Sequence, residues 1–181
     1  MYKFWLFLLV LVSFNVNSSE LPEYKAELIM LGEADQEVRE GNINWSAAEK
    51  VDTDNLRKLK FLIKKNGFPT LEKVGKEAYI YAFLIAQHSV SDVEFMRYYM
   101  AELNKRLGTG AIVDRTFAYL LDRTNELAGE KQVYGTQGHC IKGEYEISPV
   151  KNRDNLESLR KKIGLLSLKE FSKKACIDKN G

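Results

Sequence analysis

The stretch "FPTLEKVGKEAYIYAFLIAQHS", residues 68–89, decides the fold because its centre is apolar on every side. Thr70 is a good N-cap residue, so the sequence predicts a helix that starts directly after it. The run "AYIYAFLIA" at 78–86 leaves this helix no polar face for solvent, and such a helix belongs in the centre of a domain. We therefore predict a buried central helix that ends at the polar pair Gln87 and His88.

The segments before this helix also show helical periodicity. Apolar residues recur at helical spacing from Glu20 to Glu40, and a second apolar stripe ends before Gly67. We expect Asp52 or Asp54 to cap the second helix, because a short acidic side chain can accept hydrogen bonds from the first free backbone N–H groups.

Further helices are predicted after the central one. A fifth helix is expected from about Ala111 to Ala128, with Phe117, Leu120 and Leu127 in its buried stripe. The expected caps of the others are Ser91 with Glu94 for the fourth helix, Asn152 or Asp154 for a short helix, and Ser167 with Glu170 for the last.

The period changes only after Gly129. The segments "QVYGTQ" at 132–137 and "CIKGEYEI" at 140–147 are typical of extended chain, with a turn at Lys142-Gly143. The sequence therefore predicts a mainly α fold, a compact domain of about six to seven helices with a small β-hairpin in the C-terminal third.

The N-terminal residues resemble a secretory signal. Lys3 precedes the apolar run Phe4–Phe14, and small or compact residues at Val16 and Ser18 favour cleavage. The run is short for a membrane span, although an uncleaved anchor is the alternative. We predict a signal peptide at 1–18, a single globular domain at 19–181 without a stable membrane span, and a periplasmic or secreted protein.

The composition excludes some partners and favours a disulfide bond. The formal net charge is only +2, which argues against a nucleic-acid-binding protein, since these carry a large excess of basic groups. Cys140 and Cys176 are the only two cysteines. An exported chain favours pairing between them, worth about 4 kcal/mol in the chain-entropy model. Two free thiols are the alternative.

Polar motifs occur in a fixed order along the chain. Their residues are Asp35-Gln36, "GFPT" at 67–70, "QHSVSD" at 87–92, "DR" at 122–123, "QVYGTQ" at 132–137 and Gly164-Leu165. This order resembles an uncharacterised bacterial domain-of-unknown-function family with the pattern DQ…GWPT…QHAD…DR…Q.YGTQ…GL. Phe68 departs from the pattern's tryptophan, and Ser89-Val90 interrupt its third motif. The resemblance implies no activity.

Three residues are candidate catalytic groups. His88 is a natural acid or base, Asp122 could orient it, and Arg123 could bind a carboxylate or phosphate through two parallel hydrogen bonds. Neighbours on a helix point about 100° apart, so Asp122 and Arg123 must each find another partner. A structural ion-pair network with Arg39 and Asp35 is the alternative.

The loop around Gly135 offers amides, hydroxyls and backbone N–H groups that can surround a polar ligand or a developing oxyanion. The same groups could instead clamp the loop to helix ends. The candidate ligand-binding residues are Gln87, Gln132, Tyr134, Thr136 and Gln137.

Several catalytic classes lack their signatures. No nucleophile elbow, catalytic Cys–His signature, Walker loop, HExxH or CxxC occurs, and His139 lies outside the ordered motifs, so neither metal nor cofactor is expected. Three hypotheses fit: a small metal-independent hydrolase or lyase acting on a small polar or anionic ligand, a non-catalytic binding module of the cell envelope, and a structural or interaction protein.

Overall fold

A computed structural model of the protein describes residues 20–41, 43–142 and 144–176, so the predicted signal peptide lies outside the described residues. The chain forms a mainly α domain with one antiparallel hairpin, which confirms the predicted fold class. Its elements are α1 (Glu20–Glu37), α2 (Trp45–Asn66), α3 (Leu71–His88), α4 (Val93–Asn104), α5 (Arg115–Leu127), β1 (Gly138–Ile141), β2 (Glu144–Ile147), α6 (Leu156–Lys162) and α7 (Leu168–Ala175).

Helix α3 is the central element, as predicted. It starts after Thr70, whose side chain accepts a hydrogen bond from the Lys73 N–H, and it contacts α1, α2, α4 and α5. The approach to α1 is so close that a Cβ at Gly32 would overlap the Tyr81 side chain. Glycine at this position therefore lets the two backbones approach, and α1 is held firmly beside the C-terminal half of α3.

Three predicted caps are wrong. Helix α6 follows Asn155 rather than Asn152 or Asp154, and Asn155 makes no side-chain cap hydrogen bond. Helix α2 begins earlier than expected, at Trp45, because the Asn44 side chain accepts a hydrogen bond from the Ala47 N–H. Asp52 and Asp54 consequently lie inside the helix. Helix α4 is capped by Asp92 rather than by Ser91.

Helix α5 also differs from its predicted form. It starts at Arg115, because Gly108 and Gly110 adopt positive φ angles of 71° and 77° that interrupt the chain before it. Leu127 is 45% exposed, since the buried face near this end of α5 instead carries Asp122 and Thr124. The buried face of α5 is therefore rotated relative to the predicted one, and this rotation places Asp122 in the interior.

The C-terminal third contains the predicted hairpin. Strands β1 and β2 pair antiparallel, with Cys140 opposite Tyr145. A disulfide bond joins Cys140 to Cys176, confirming the predicted pairing, and ties the hairpin to the end of α7. The capping box of Ser167 and Glu170 is present as predicted. None of the helices in the described ranges is both long and apolar enough to cross a membrane.

Candidate functional site

Asp122 anchors the loop that follows α5. Its carboxylate accepts hydrogen bonds from the N–H groups of Val133 (2.8 Å), Tyr134 (3.1 Å) and Thr136 (3.0 Å) and from the Thr136 hydroxyl (3.0 Å). The side chain is fully buried, so these donors replace water around its charge. The expectation that Asp122 orients His88 is therefore corrected: the geometry turns Asp122 towards the loop.

The YGTQ loop, residues 132–137, uses its polar groups internally. Gln132 donates to the carbonyl groups of Gln137 and Ser148, each at 2.9 Å, and accepts from the Gln137 N–H at 2.7 Å. The Gln137 amide donates to the Thr136 hydroxyl at 3.0 Å. These bonds clamp the loop in place, which was one of the two alternatives. A ligand-binding role for Gln132, Thr136 and Gln137 stays a prediction.

Arg160 completes the clamp from α6. Its guanidinium donates to the carbonyl oxygens of Tyr134 (2.7 Å) and Gly135 (2.9 Å), and its Nε donates to Leu166 (2.8 Å). Tyr134 is half-buried, beside a small apolar cluster that includes Ala118 and Ile163. The candidate ligand role of Tyr134 also stays a prediction, because its backbone, rather than its hydroxyl, makes the contacts seen here.

His88 lies at a second site, at the end of α3, with Asp35 of α1 as its partner. Nδ1 of His88 is 2.8 Å from Oδ1 of Asp35. Burial disfavours the charge of Asp35, but hydrogen bonding to His88 and the charges of His88 and Arg39 outweigh it and lower the pKa of Asp35. Asp35 is fully buried, whereas the His88 side chain is 20% exposed. Nε2 of His88 makes no hydrogen bond to a described residue, so it is the nitrogen open to a ligand.

Arg39 links Asp35 to Asp52. Its Nη1 donates to the Asp35 carbonyl at 2.9 Å and lies 3.1 Å from Oδ1 of Asp35. Its Nη2 contacts the two carboxylate oxygens of Asp52 at 2.6 and 2.9 Å. The guanidinium is thereby committed to two carboxylates, and it fixes α1 against α2 beside His88.

A cavity of about 320 Å³ opens beside these groups. Eight residues from three helices and two connecting segments line it: Arg39, Ile43, Trp45, Asp52, Gln87, His88, Val90 and Arg123. The predicted groups Gln87, His88 and Arg123 therefore meet at one cavity. Asp122, one position before Arg123, does not line the cavity. Neighbouring residues on a helix point about 100° apart, and the Asp122 carboxylate faces the loop.

Arg123 reaches this cavity without a partner. Its Nε is buried and unpaired, and within the described part of the chain the side chain makes neither a hydrogen bond nor an ion pair. Burial lowers the pKa of Arg123, although the charge of Glu126 opposes the shift. An unpaired buried donor costs about 1–3 kcal/mol, so Arg123 is poised to gain from an anionic ligand.

A larger cavity, of about 430 Å³, lies beside Gly108, Gly110 and the end of α6. Its basic side chains are Arg115, Lys161 and Lys162, all on the accessible surface. We place the candidate site at His88 instead, because that cavity combines a positioned imidazole with an unpaired buried donor.

The same site contains a possible set of metal ligands. Asp35, Asp52 and His88 offer ligand atoms that all lie within 4.8 Å of one another. Arg39, however, already contacts both carboxylates. A bound cation would have to displace this guanidinium or share the carboxylates with it, so the donor set fits a metal poorly.

Sequence reasoning missed Asp35 and Asp52 as members of the site. Asp35 stood in the first of the ordered motifs and was weighed only as an ion-pair partner, and Asp52 was interpreted as a cap. The spacing of Asp35 and Arg39 by four residues on one helix was the available signal for the first. Nothing in the sequence placed Asp52 near them.

Comparisons with known proteins identify the family. A search of curated proteins found no match to the chain, and a search of solved structures found none either. A family model described as a family of unknown function, DUF6624, matches residues 22–178, which include every residue of the site. The chain therefore belongs to this family of unknown function.

Proposed function

We propose that the protein is a small metal-independent hydrolase or lyase that uses His88 as acid and base on a small anionic substrate. One observation carries the proposal: Nδ1 of His88 is held by Asp35, while Nε2 is left open in a cavity shared with the unpartnered Arg123. Asp35 takes the orienting role that the sequence had suggested for Asp122.

The hydrogen bond to Asp35 sets the chemistry of the imidazole. A carboxylate at Nδ1 favours the tautomer with its proton on that nitrogen, so Nε2 presents a lone pair to the cavity. When Nε2 takes a proton, the imidazolium is stabilised by the buried charge of Asp35. His88 can therefore accept a proton from the substrate or from water and later return it.

Arg123 and Gln87 would hold the substrate. Arg123 can donate paired hydrogen bonds to an anionic group, and the Gln87 amide makes no hydrogen bond to a described residue. The described residues that line the cavity include no serine, threonine, cysteine or lysine. His88 would therefore activate water for hydrolysis, or remove a proton from carbon for elimination, rather than assist a side-chain nucleophile.

A non-catalytic binding module is the second candidate. It is favoured by the commitment of Arg39 to both carboxylates, which leaves His88 as the single acid–base group open to the cavity. The same residues would then recognise an anion without turnover.

In either case we propose an exported protein, supported by the N-terminal signal pattern and the Cys140–Cys176 disulfide bond.

The two histidines of the chain allow a matched test. His88→Gln removes the acid–base group, and His139→Gln alters an exposed histidine of the hairpin. We would measure hydrolysis of a panel of carboxylate-bearing 4-nitrophenyl esters, and elimination from a panel of small hydroxy acids. Loss of general acid–base catalysis costs about 10²–10⁴-fold, so kcat/KM should fall by this factor in His88→Gln only.

Asp35→Asn gives an independent check on the orienting role. It should lower kcat and leave KM nearly unchanged, because Asp35 does not line the cavity. Full activity in His88→Gln would refute the catalytic proposal. No turnover in the wild type, combined with anion binding that requires Arg123, would establish the binding module instead.

A further inference from the structure

We propose that the ligand of the His88 cavity is a small monocarboxylate that carries a flat apolar group, an arylalkanoate in chemical terms. This inference rests on the proposed function for the location of the site, and it adds the class of ligand. It comes from the charge balance of the cavity and from the residues at its rim.

Charge balance disfavours a ligand that carries more than one negative charge. Arg39 and Arg123 bring two positive charges to the site, and Asp35 and Asp52 bring two negative charges. Arg39 contacts both carboxylates at 2.6–3.1 Å, and these three groups carry one excess negative charge, so the site with Arg123 is neutral before a ligand binds. Arg123 alone is left for a ligand, and Glu126 already offsets part of its charge.

A phosphate dianion would therefore add two negative charges where one positive charge is open, next to the buried Asp35. Like charges held this close in a partly desolvated site repel strongly. A carboxylate matches the single charge of Arg123, and its two oxygens fit the fork of a guanidinium. Nε of Arg123 is unpaired and supplies one of the donors for such a pair.

The rim of the cavity is apolar on one side. Ile43, Trp45 and Val90 are 36%, 71% and 46% exposed, and all three line the same opening. A single exposed apolar residue is ordinary, but here two separate chain segments bring three of them to the mouth of a charged cavity. Trp45 is fixed as the first residue of α2 by the Asn44 cap and offers an indole face for stacking.

The cavity favours an aromatic rather than a polyhydroxylated group. Among the described residues that line it, the uncharged hydrogen-bonding side chains are Gln87, neutral His88 and the indole N–H of Trp45, so the many hydroxyls of a sugar acid would find few partners. A volume of about 320 Å³ is at the lower end for ligand pockets and suits a small molecule. A carboxylate would pair with Arg123 and an aryl group would stack on Trp45, so an arylalkanoate fits both the charged part and the apolar rim of the cavity.

Phenylacetate is the probe, and its relatives separate the contributions. Phenylacetamide lacks the charge, acetate lacks the ring, phenyl phosphate is a dianion and glucuronate carries hydroxyls. Binding to the full-length chain would be measured by calorimetry. Fluorescence of a Trp5→Phe variant would be recorded in parallel, because Trp45 is then the only tryptophan. Phenylacetate should bind at least about tenfold more tightly than each of the others, as expected for loss of one charged hydrogen-bonded contact or of one stacked ring.

Two pairs of variants locate the binding. Arg123→Met should weaken phenylacetate binding by about tenfold or more, whereas Arg97→Met, at an exposed arginine of α4, should not. Trp45→Ala should weaken it severalfold, whereas Phe61→Ala, at an aromatic residue that is 64% exposed, should not. Binding in these variants is scored apart from the activity of His88→Gln, which tests the catalytic proposal.

Three outcomes would overturn the inference. Tighter, Arg123-dependent binding of phenyl phosphate or glucuronate would reject the arylalkanoate class and leave the catalytic proposal standing. Binding of none of these anions would reject the ligand class outright, and the activity of His88→Gln would then judge the catalytic proposal separately. Binding of Zn²⁺ alone, abolished by Asp52→Asn, with no anion bound, would reject both proposals.

Discussion

Asp35 and Asp122 are both fully buried helical aspartates, yet their surroundings differ. Asp122 is surrounded by backbone N–H groups and a hydroxyl of one loop, and its hydrogen bonds end inside the protein. Asp35 is held by His88 and Arg39, and both of these side chains reach an open cavity. A buried charge alone therefore does not mark a functional site. Asp35 is distinguished by its partners His88 and Arg39, which line a cavity that is open to solvent.

The two arginines Arg160 and Arg123 differ in the same way. Arg160 is completely buried and donates to three carbonyl groups, and only its Nη2 is unpaired among the described residues. Arg123 is half-buried and has no partner among the described residues. The first is used to hold the fold, and the second is retained at a cost in stability, as is common for binding sites.

The largest expected effect tests the structural aspartate. Asp122→Ala should lower the free energy of unfolding by about 3–5 kcal/mol, because the buried N–H groups of the loop lose their acceptor. Denaturant unfolding monitored by circular dichroism would measure this. Asp154→Ala, at an exposed aspartate, is the control and should change stability by less than about 0.5 kcal/mol. Equal stability of the two variants would contradict the anchoring role.

The disulfide bond should have the next largest effect. It closes a separation of 36 residues, so replacing both Cys140 and Cys176 with alanine should cost about 2–4 kcal/mol. Since the bond joins the hairpin to α7, far along the chain from α1–α3, ligand binding at His88 should be preserved. Calorimetric melting with and without reductant would test the first statement, and loss of binding in the double variant would contradict the second.

Acid unfolding should reveal the lowered pKa of Asp35. Because the folded protein lowers the pKa of Asp35, the ionised carboxylate stabilises the fold above its unfolded pKa, near 3.8. That contribution is lost as the pH falls through the lower folded value, at about 1.4 kcal/mol per unit of pKa difference. Wild type should therefore lose more stability between pH 5 and pH 2 than Asp35→Asn. Parallel pH profiles would show that Asp35 is not stabilised by His88 and Arg39.

The smallest effect is expected at the unpaired arginine. Arg123→Met should leave the free energy of unfolding within about 0.5 kcal/mol of the wild-type value or raise it by about 1 kcal/mol, because it removes a buried donor that lacks a partner. Arg160→Met should lower it by about 3 kcal/mol, because three carbonyl groups lose their donor. Denaturant unfolding would measure both variants. Equal losses of unfolding free energy in Arg123→Met and Arg160→Met would contradict the distinction between the two arginines.

The sequence predicted most of the fold because helical periodicity and turn chemistry are local. The apolar run 78–86 predicted a central helix, and the change of period after Gly129 predicted the hairpin. Caps were less certain, because several polar residues stood near each helix start. Asn44 and Asp92 took the positions that sequence reasoning had given to Asp52 and Ser91, since the true start depends on where the helix meets its neighbours.

The sequence by itself identified the candidate polar groups: His88 at the end of a buried helix, the Asp122-Arg123 pair and the polar loop after α5. Only the tertiary structure decided which of these groups line the cavity and which form hydrogen bonds inside the protein. The rotation of α5 turned Asp122 to the loop and Arg123 to the cavity, and the packing of α1 on α3 brought Asp35 to His88 across 53 residues of sequence. Such partners depend on helix rotation and close approach, which are set by the packing of whole helices and not by any local pattern.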